Sequence, residues 1–328
     1  MTNPLEQRIF KTTSSNFQDI ALEVFCYQAA SNRVYADYLN LLKIVPQSIT
    51  TITGIPFLPI SFFKTHRVIV DGKKAESTFI SSGTTGSETS KHHVASLQLY
   101  ERSFLGTFQK FYGIPSDYCI LALLPSYLER EGSSLIYMVN KLIEESKHPQ
   151  SGFYLEDYKQ LVDVLLEQEK NGQKTILLGV TYALLELANN YKLKLSNTII
   201  METGGMKGRG KELVRKEVHH ILREAFGVKV VHSEYGMTEL HSQAYSLGNG
   251  IFQCPQWMLV FCRDPYDPFT ILPQGRTGAL NIIDLANLYS CSFIQTDDLG
   301  TVFSDGTFEV IGRMDGSQIR GCNLLVYQ

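Results

Sequence analysis

The chain has 328 residues, with 30 Lys+Arg against 33 Asp+Glu and a formal net charge of −3. Hydrophobic residues at 44% and charged residues at 19% are globular rather than disordered composition, and the near-neutral balance excludes an electrostatic footprint for nucleic acid or an anionic membrane. No apolar run reaches the roughly 18 residues of a membrane span, and the opening MTNPLEQRIFKTTSSNF lacks the apolar centre of a signal peptide, so a cytoplasmic location is expected.

The first sixty residues read as helix. Phe17, Ile20, Ala21, Val24 and Phe25 recur at helical spacing, and Tyr35, Tyr38, Leu39 and Leu42 resume it before Pro46 stops the run. In GIPFLPISFFKTHRVIV, Pro56 and Pro59 forbid helix and RVIV reads as a short strand. From about residue 78 a strand–loop–helix pattern repeats. STFI leads into a Gly/Thr/Ser loop over 81–90, followed by an amphipathic helix to Phe111. CILALLP reads as a strand covered on both faces. Helices near 133–147 and 155–169, the strand TILLGV, a helix over 181–192, the strand NTIIM, a basic helix over 210–225 and the strand VKVVHSEYG complete the series. Such alternation implies a mainly parallel sheet with helices on both faces. After residue 250, WMLVFCRD, TGALNIIDL, SFIQTDDLG and GTFEVIGRMD are strand-like pieces divided by turns, which reads as a smaller β subdomain. The division expected is 1–75, an N-terminal helical region; 76–250, the α/β core; and 251–328, the β subdomain.

Six scattered cysteines without a CxxC pair read as reduced thiols, and no HExxH spacing supports a resident zinc. Four short motifs carry more chemistry. Ser81-Ser82-Gly83-Thr84-Thr85-Gly86-Ser87 offers backbone N–H groups and hydroxyls to phosphate oxygens, although no GK[ST] follows and a solvated turn is the plain alternative. Glu234-Tyr235-Gly236-Met237-Thr238-Glu239 ends a predicted strand, where α/β sheets bind ligands. There Tyr235 can stack on a purine, Thr238 can donate to phosphate and Glu239 can hold Mg²⁺. Asp297-Asp298-Leu299-Gly300 and Gly312-Arg313-Met314-Asp315 supply a carboxylate for a ribose diol and an Arg for ribose or phosphate. Each alone also reads as a turn.

The order SSGTTG, YGMTE, DDLG, GRMD resembles the motif series of adenylate-forming enzymes: acyl-CoA synthetases, firefly-type luciferases and peptide-synthetase adenylation domains. IPFLPISFFKTHRV, LLPSYLEREGSSL, LLGVTYALLEL and GRMDGSQIRGCNL are similar to the bacterial acyl-protein synthetases of the LuxE type, from about residue 17 to the end. The resemblance implies an adenylate-forming α/β fold with a smaller β subdomain. It implies that Ser81, Ser82, Thr84 and Thr85, with Gly83 and Gly86, handle the ATP phosphates. By the same likeness Tyr235 stacks on adenine beside Gly236, Thr238 contacts phosphate, Glu239 holds Mg²⁺, Asp298 and Arg313 contact ribose, and Gly204 and Gly205 flank the adenine and acyl pocket.

Two features depart from the pattern. Thr89 stands where a lysine often ends the phosphate loop, as in phenylacetate–CoA ligase-like members, with Lys91 nearby. The chain ends thirteen residues after Asp315, so the mobile C-terminal domain, with its adenylation-assisting lysine, is expected to be truncated; Lys91, Arg209, Lys211 and Arg320 are alternative cations. Cys322, in Arg320-Gly321-Cys322-Asn323, matches the acyl-accepting cysteine near the C-terminus of LuxE-type synthetases, and a cation at Arg320 favours its thiolate. A small residue on an apolar last strand is the alternative. The expected activity is ATP-dependent activation of a carboxylic acid, fatty by resemblance, followed by thioester formation on Cys322 for delivery to an acyl reductase. Two alternatives stay open. One is a CoA or acyl-carrier-protein ligase of phenylacetate–CoA ligase type, with phosphopantetheine as acceptor. The other is an inactive nucleotide- or partner-binding protein.

Overall fold

The computed structural model describes residues 3–81, 89–125, 132–155, 157–204 and 213–314. In chain order the helices are α1 Leu5–Arg8, α2 Phe17–Ser31, α3 Arg33–Leu41, α4 Phe62–Thr65, α5 Leu97–Tyr112, α6 Ser134–Ser146, α7 Tyr158–Asn171, α8 Thr181–Asn190 and α9 Arg215–Phe226. The strands are β1 Leu58–Pro59, β2 Ser77–Ile80, β3 Lys91–Val94, β4 Cys119–Leu123, β5 Gly152–Phe153, β6 Thr175–Val180, β7 Thr198–Thr203, β8 His232–Tyr235, β9 Ala244–Ser246, β10 Ile251–Phe252, β11 Met258–Arg263, β12 Thr277–Asp284, β13 Phe293–Val302 and β14 Phe308–Arg313. The chain divides into two compact units: Ser77–Lys91 with Leu97–Pro255, and Met1–Glu76 with His92–Ser96 and Gln256–Gln328. No helix among the described residues is long and apolar enough to cross a membrane.

The central unit is built on the sheet β5-β4-β6-β7-β8-β9, parallel from β5 to β8 and closed by antiparallel β9. Every residue of β4 and β6 is buried, which is why their sequences are continuous apolar runs without alternation. The helices begin and end on local signals. Asp157 caps α7 by accepting from Gln160 N at 2.9 Å, and Ser133 caps α6 by accepting from Ile136 N at 3.3 Å. α7 and α9 stop at Gly172 and Gly227, both at φ +67°, a left-handed conformation that costs glycine little.

In the other unit β14-β13-β12-β11 form an antiparallel sheet, with β1 parallel to β13. The N-terminal helices and the C-terminal strands, far apart in sequence, share this unit. The reason is visible at Gln28 on α2, wholly buried. Its Nε2 donates to the carbonyls of Asn287 and Leu288 at 3.0 and 2.9 Å, and its Oε1 accepts from Ser292 N at 2.9 Å. Asn32 Nδ2 donates to Ser290 O at 2.8 Å beside it. These side chains satisfy a loop that has no ladder of its own.

One predicted strand is absent and another is shortened. RVIV is irregular: Val70 N donates to Tyr289 O at 2.9 Å and Val68 O accepts from Ser290 Oγ at 2.9 Å, so its polar groups are spent on a loop. The strand predicted over 228–236 begins only at His232, because Val230 is 43% exposed and lies off the sheet.

Candidate active site

The carboxyl ends of β6, β7 and β8 bring together Thr181, Glu202, Thr203, Gly204, Glu234 and Tyr235. Thr181 Oγ1 lies 2.9 Å from Gly204 O and 3.2 Å from Glu202 Oε2. On its other oxygen Glu202 accepts from Arg215 Nε at 3.2 Å and has His219 Nε2 at 3.5 Å. Burial pushes the Glu202 carboxyl up, but the His219 hydrogen bond and the Arg215 charge outweigh it and hold its pKa below the ordinary carboxylate value. Arg215 lies over the Phe252 ring at 5.1 Å, and Phe252 packs against Tyr235 with centroids 5.8 Å apart.

Glu234 is treated in the opposite way by its surroundings. Its carboxyl is buried, accepts a short hydrogen bond from the Thr203 hydroxyl and faces the charge of Glu202. Burial, with Glu202 adding to it against the Thr203 bond, pushes its pKa up to about 7. Two carboxyls on adjacent strands are thus driven apart in protonation by what surrounds each.

Beyond Tyr235 the chain turns. Gly236 is exposed, Thr238 is half-buried, Glu239 is buried, and Leu240 N donates to Met237 O at 3.1 Å. A Cβ added to Gly236 would sit 2.5 Å from Glu234 Oε1, so only glycine fits here without moving that carboxyl. The turn is tied to α5 by Ser103 and Ser242, whose hydroxyls are 2.9 Å apart. Gln243 is buried, and its Oε1 has no hydrogen-bond partner among the described residues.

Ser81 closes the neck of the Gly/Thr/Ser segment: its N–H donates to Ser90 O at 3.0 Å and its Oγ accepts from Ser90 N at 2.8 Å. Its hydroxyl is therefore engaged by the scaffold. Ser82, Gly83, Thr84, Thr85, Gly86, Gly205 and Cys322 lie outside the described residues, as do Arg209, Lys211 and Arg320. Gly204 is described, with φ +66° at the end of β7.

In the other unit Asp298 and Arg313 face each other across β13 and β14. Arg313 Nε is 4.0 Å from Asp298 Oδ1, and its Nη2 is 3.8 Å from Asp297 Oδ2. At 62% exposure the guanidinium keeps most of its surface toward solvent. Among the described cysteines, Cys119, Cys262 and Cys291 are buried, Cys254 is half-buried and Cys26 is exposed on α2. Burial pushes the Cys119 thiol up to about 11 and the Cys291 thiol up to about 12.

Sequence reasoning did not single out Thr181, Glu202, Thr203, Arg215 or His219, and it gave Glu234, which opens the second motif, no role of its own. The available signal was an acidic residue near the end of a predicted strand, in the apolar NTIIMET and again in HSEYG, where a solvated loop end would read the same way.

The fold is that of adenylate-forming ligases. A 2-hydroxyisobutyryl-CoA ligase in complex with 2-HIB-AMP and CoA in the thioesterification state superposes with a TM-score of 0.68 at 14% identity, covering 94% of this chain and 71% of that one. ATP-bound MatB from Rhodopseudomonas palustris gives a TM-score of 0.54 at 16% identity over 72% of this chain. The chain matches 47%, about half, of the length of MatB. Comparison with curated proteins gives no match. The family model of the LuxE acyl-protein synthetases matches residues 3–328, and the chain belongs to that family.

Proposed function

We propose that this protein activates a carboxylic acid with ATP as an acyl-adenylate and then transfers the acyl group to a thiol. The observation that carries the reading is the turn after β8, with exposed Gly236 and half-buried Thr238 beside buried Glu239 at the carboxyl end of a parallel strand, in a chain of the acyl-protein synthetase family.

In the first step a carboxylate oxygen of the acid attacks the α-phosphorus of ATP. The bond from that phosphorus to the bridging oxygen breaks, and pyrophosphate leaves with the electron pair. Thr238 and the loop beginning at Ser81 donate to phosphate oxygens as charge builds. Tyr235 holds the adenine, while Asp298 accepts from the ribose hydroxyls and Arg313 lies beside it. Mg²⁺ arriving with ATP neutralises phosphate charge. Glu239 suits that role, since Mg²⁺ on a nucleotide needs only one or two carboxylates. Among the described residues no group of three or more His, Cys, Asp or Glu could hold a resident ion.

In the second step a thiolate attacks the acyl carbonyl carbon, the bond to the AMP oxygen breaks and AMP leaves. Cys322 is the acceptor in this reading, and a fatty acid the substrate, with an acyl reductase taking the thioester onward. A 2-hydroxyisobutyryl-CoA ligase captured with its adenylate and CoA favours, as the second reading, CoA or a phosphopantetheine carrier as acceptor.

The test is the intact mass of the protein after incubation with Mg·ATP and a panel of carboxylic acids, wild type beside Cys322→Ala. An acyl-sized, hydroxylamine-labile gain confined to wild type is expected, and its mass identifies the acid. No gain, with AMP and pyrophosphate still formed, transfers the acceptor role to CoA or a carrier. No ATP turnover with any acid overturns the ligase reading in favour of a binding protein.

A further inference from the structure

Asp298 sits on a distortion of β13. Ala279 pairs with Leu299 and Asn281 with Gln295, so a single β12 residue, Leu280, stands opposite three β13 residues, 296–298. Such a bulge takes backbone groups out of the ladder, and each must find another partner or cost free energy. The partners are specific. Thr296 Oγ1 donates to Leu280 O at 2.8 Å and accepts from Asp298 N at 3.1 Å. Thr296 O accepts from Arg263 Nη2 at 2.9 Å.

Arg263 is 2% exposed and is among the largest fully buried side chains of the described residues. Its Nε donates to Asn281 Oδ1 at 3.1 Å and its Nη1 to Asp264 O at 3.3 Å. Burying a guanidinium costs several kcal/mol unless hydrogen bonds satisfy it, and an apolar side chain would fill the same space at no such cost. A cation retained here spreads its donors over the residue that follows β11, over β12 and over the bulge of β13, which no apolar residue could engage. Burial pulls its pKa down, and the nearby charges of Asp297 and Asp264 oppose that pull.

We propose that Arg263 is a positioning residue: through Thr296 it holds the 296–298 bulge in the one arrangement that presents the Asp298 carboxylate beside Arg313. Thr296 is the second member of the device. The inference rests on the reading of Asp298 as the acceptor for the ribose hydroxyls.

The experiment compares the affinity of the full-length protein for Mg·ATP and for Mg·2′,3′-dideoxy-ATP, which lacks both hydroxyls, in wild type, Asp298→Asn, Arg263→Lys and Thr296→Val, with each fold checked by thermal melting. Wild type is expected to prefer ATP by at least about tenfold, as hydrogen bonds to a charged acceptor require. Arg263→Lys and Thr296→Val should lose most of that preference, as Asp298→Asn does, while dideoxy-ATP binding changes less than about twofold. If Arg263→Lys does not fold, Thr296→Val carries the comparison. Equal losses for both nucleotides, or an undiminished preference, would overturn the positioning role and leave Arg263 a structural cation. A wild type with no preference but measurable ATP binding would overturn the ribose reading of Asp298, and the inference with it.

Discussion

Replacing Glu234 with Gln removes a charge that the fold tolerates poorly while keeping an acceptor for the Thr203 hydroxyl. The carboxyl ordinarily titrates near 4.5, and burial raises it to about 7. Among the described residues the groups around it supply no compensating cation: Glu202 on β7, Tyr112 on α5 and Tyr245 on β9 act on it or feel its charge, and His232 on its own strand is half-buried with its pKa pulled down. Between about pH 4.5 and 7 the folded chain therefore holds one proton more than the unfolded chain, and stability falls as pH rises through that window. At 1.36 kcal/mol per pH unit the full fall is about 3 kcal/mol. His232, lowered to about 4 by burial, works with the opposite sign: between about 4 and 6.5 the unfolded chain holds the extra proton. The two slopes nearly cancel up to about pH 6.5, and the loss from Glu234 stands alone above it. Urea unfolding of wild type and Glu234→Gln at pH 5, 6, 7 and 8 isolates the Glu234 limb, because His232 contributes equally to both. The variant should gain on wild type steadily from pH 5 and level off above pH 7, ahead by about 3 kcal/mol. A stability difference that does not change with pH would refute the buried, neutral carboxyl.

Gly300→Ala should lower stability by roughly 3 kcal/mol or more, because the new Cβ would meet Glu309 O at 2.1 Å and two Leu280 methyls, whereas Gly312→Ala, with nothing within 4 Å, should melt like wild type. Gln28→Met keeps the volume but strands the buried Ser292 N–H and the carbonyls of Asn287 and Leu288, so a loss of about 3 kcal/mol in chemical unfolding is expected. In native protein at pH 8, iodoacetamide should label Cys26 and spare Cys119, Cys262 and Cys291, as peptide mapping would show; early labelling of Cys291 would contradict its burial. Gly236→Ala should lower stability by about 1–3 kcal/mol, since its Cβ would meet Glu234 Oε1 at 2.5 Å and displace a buried carboxyl bonded to Thr203; a variant that melts like wild type would contradict that close approach.

What was legible in the sequence is what local pattern decides. The apolar runs of β4 and β6 are strands because both faces are buried, and α7 is bounded by Asp157 and Gly172, whose preferences act within a few residues. The motif series marked Tyr235, Thr238, Glu239, Asp298 and Arg313, and the fold sets the first three at a strand end and the last two as a cross-strand pair. RVIV and VKVV have the composition of strands and are not strands, because a ladder needs a neighbour and the loop at 289–290 takes the polar groups of the first. Nor does composition separate Glu202 from Glu234. Both are glutamates near the ends of parallel strands, and only the arrival of Arg215 and His219 beside one, and burial with a like charge around the other, sends their proton affinities in opposite directions. The bulge that carries Asp298 is likewise invisible in FIQTDDLG, since it exists only where β12 offers one residue against three and Arg263, thirty-three residues upstream of Thr296, reaches its carbonyl. Sequence marked which residues are candidates for the chemistry, through types and spacings read along one dimension. Tertiary structure decided their charge and aim, because desolvation and hydrogen bonding depend on neighbours that only folding supplies.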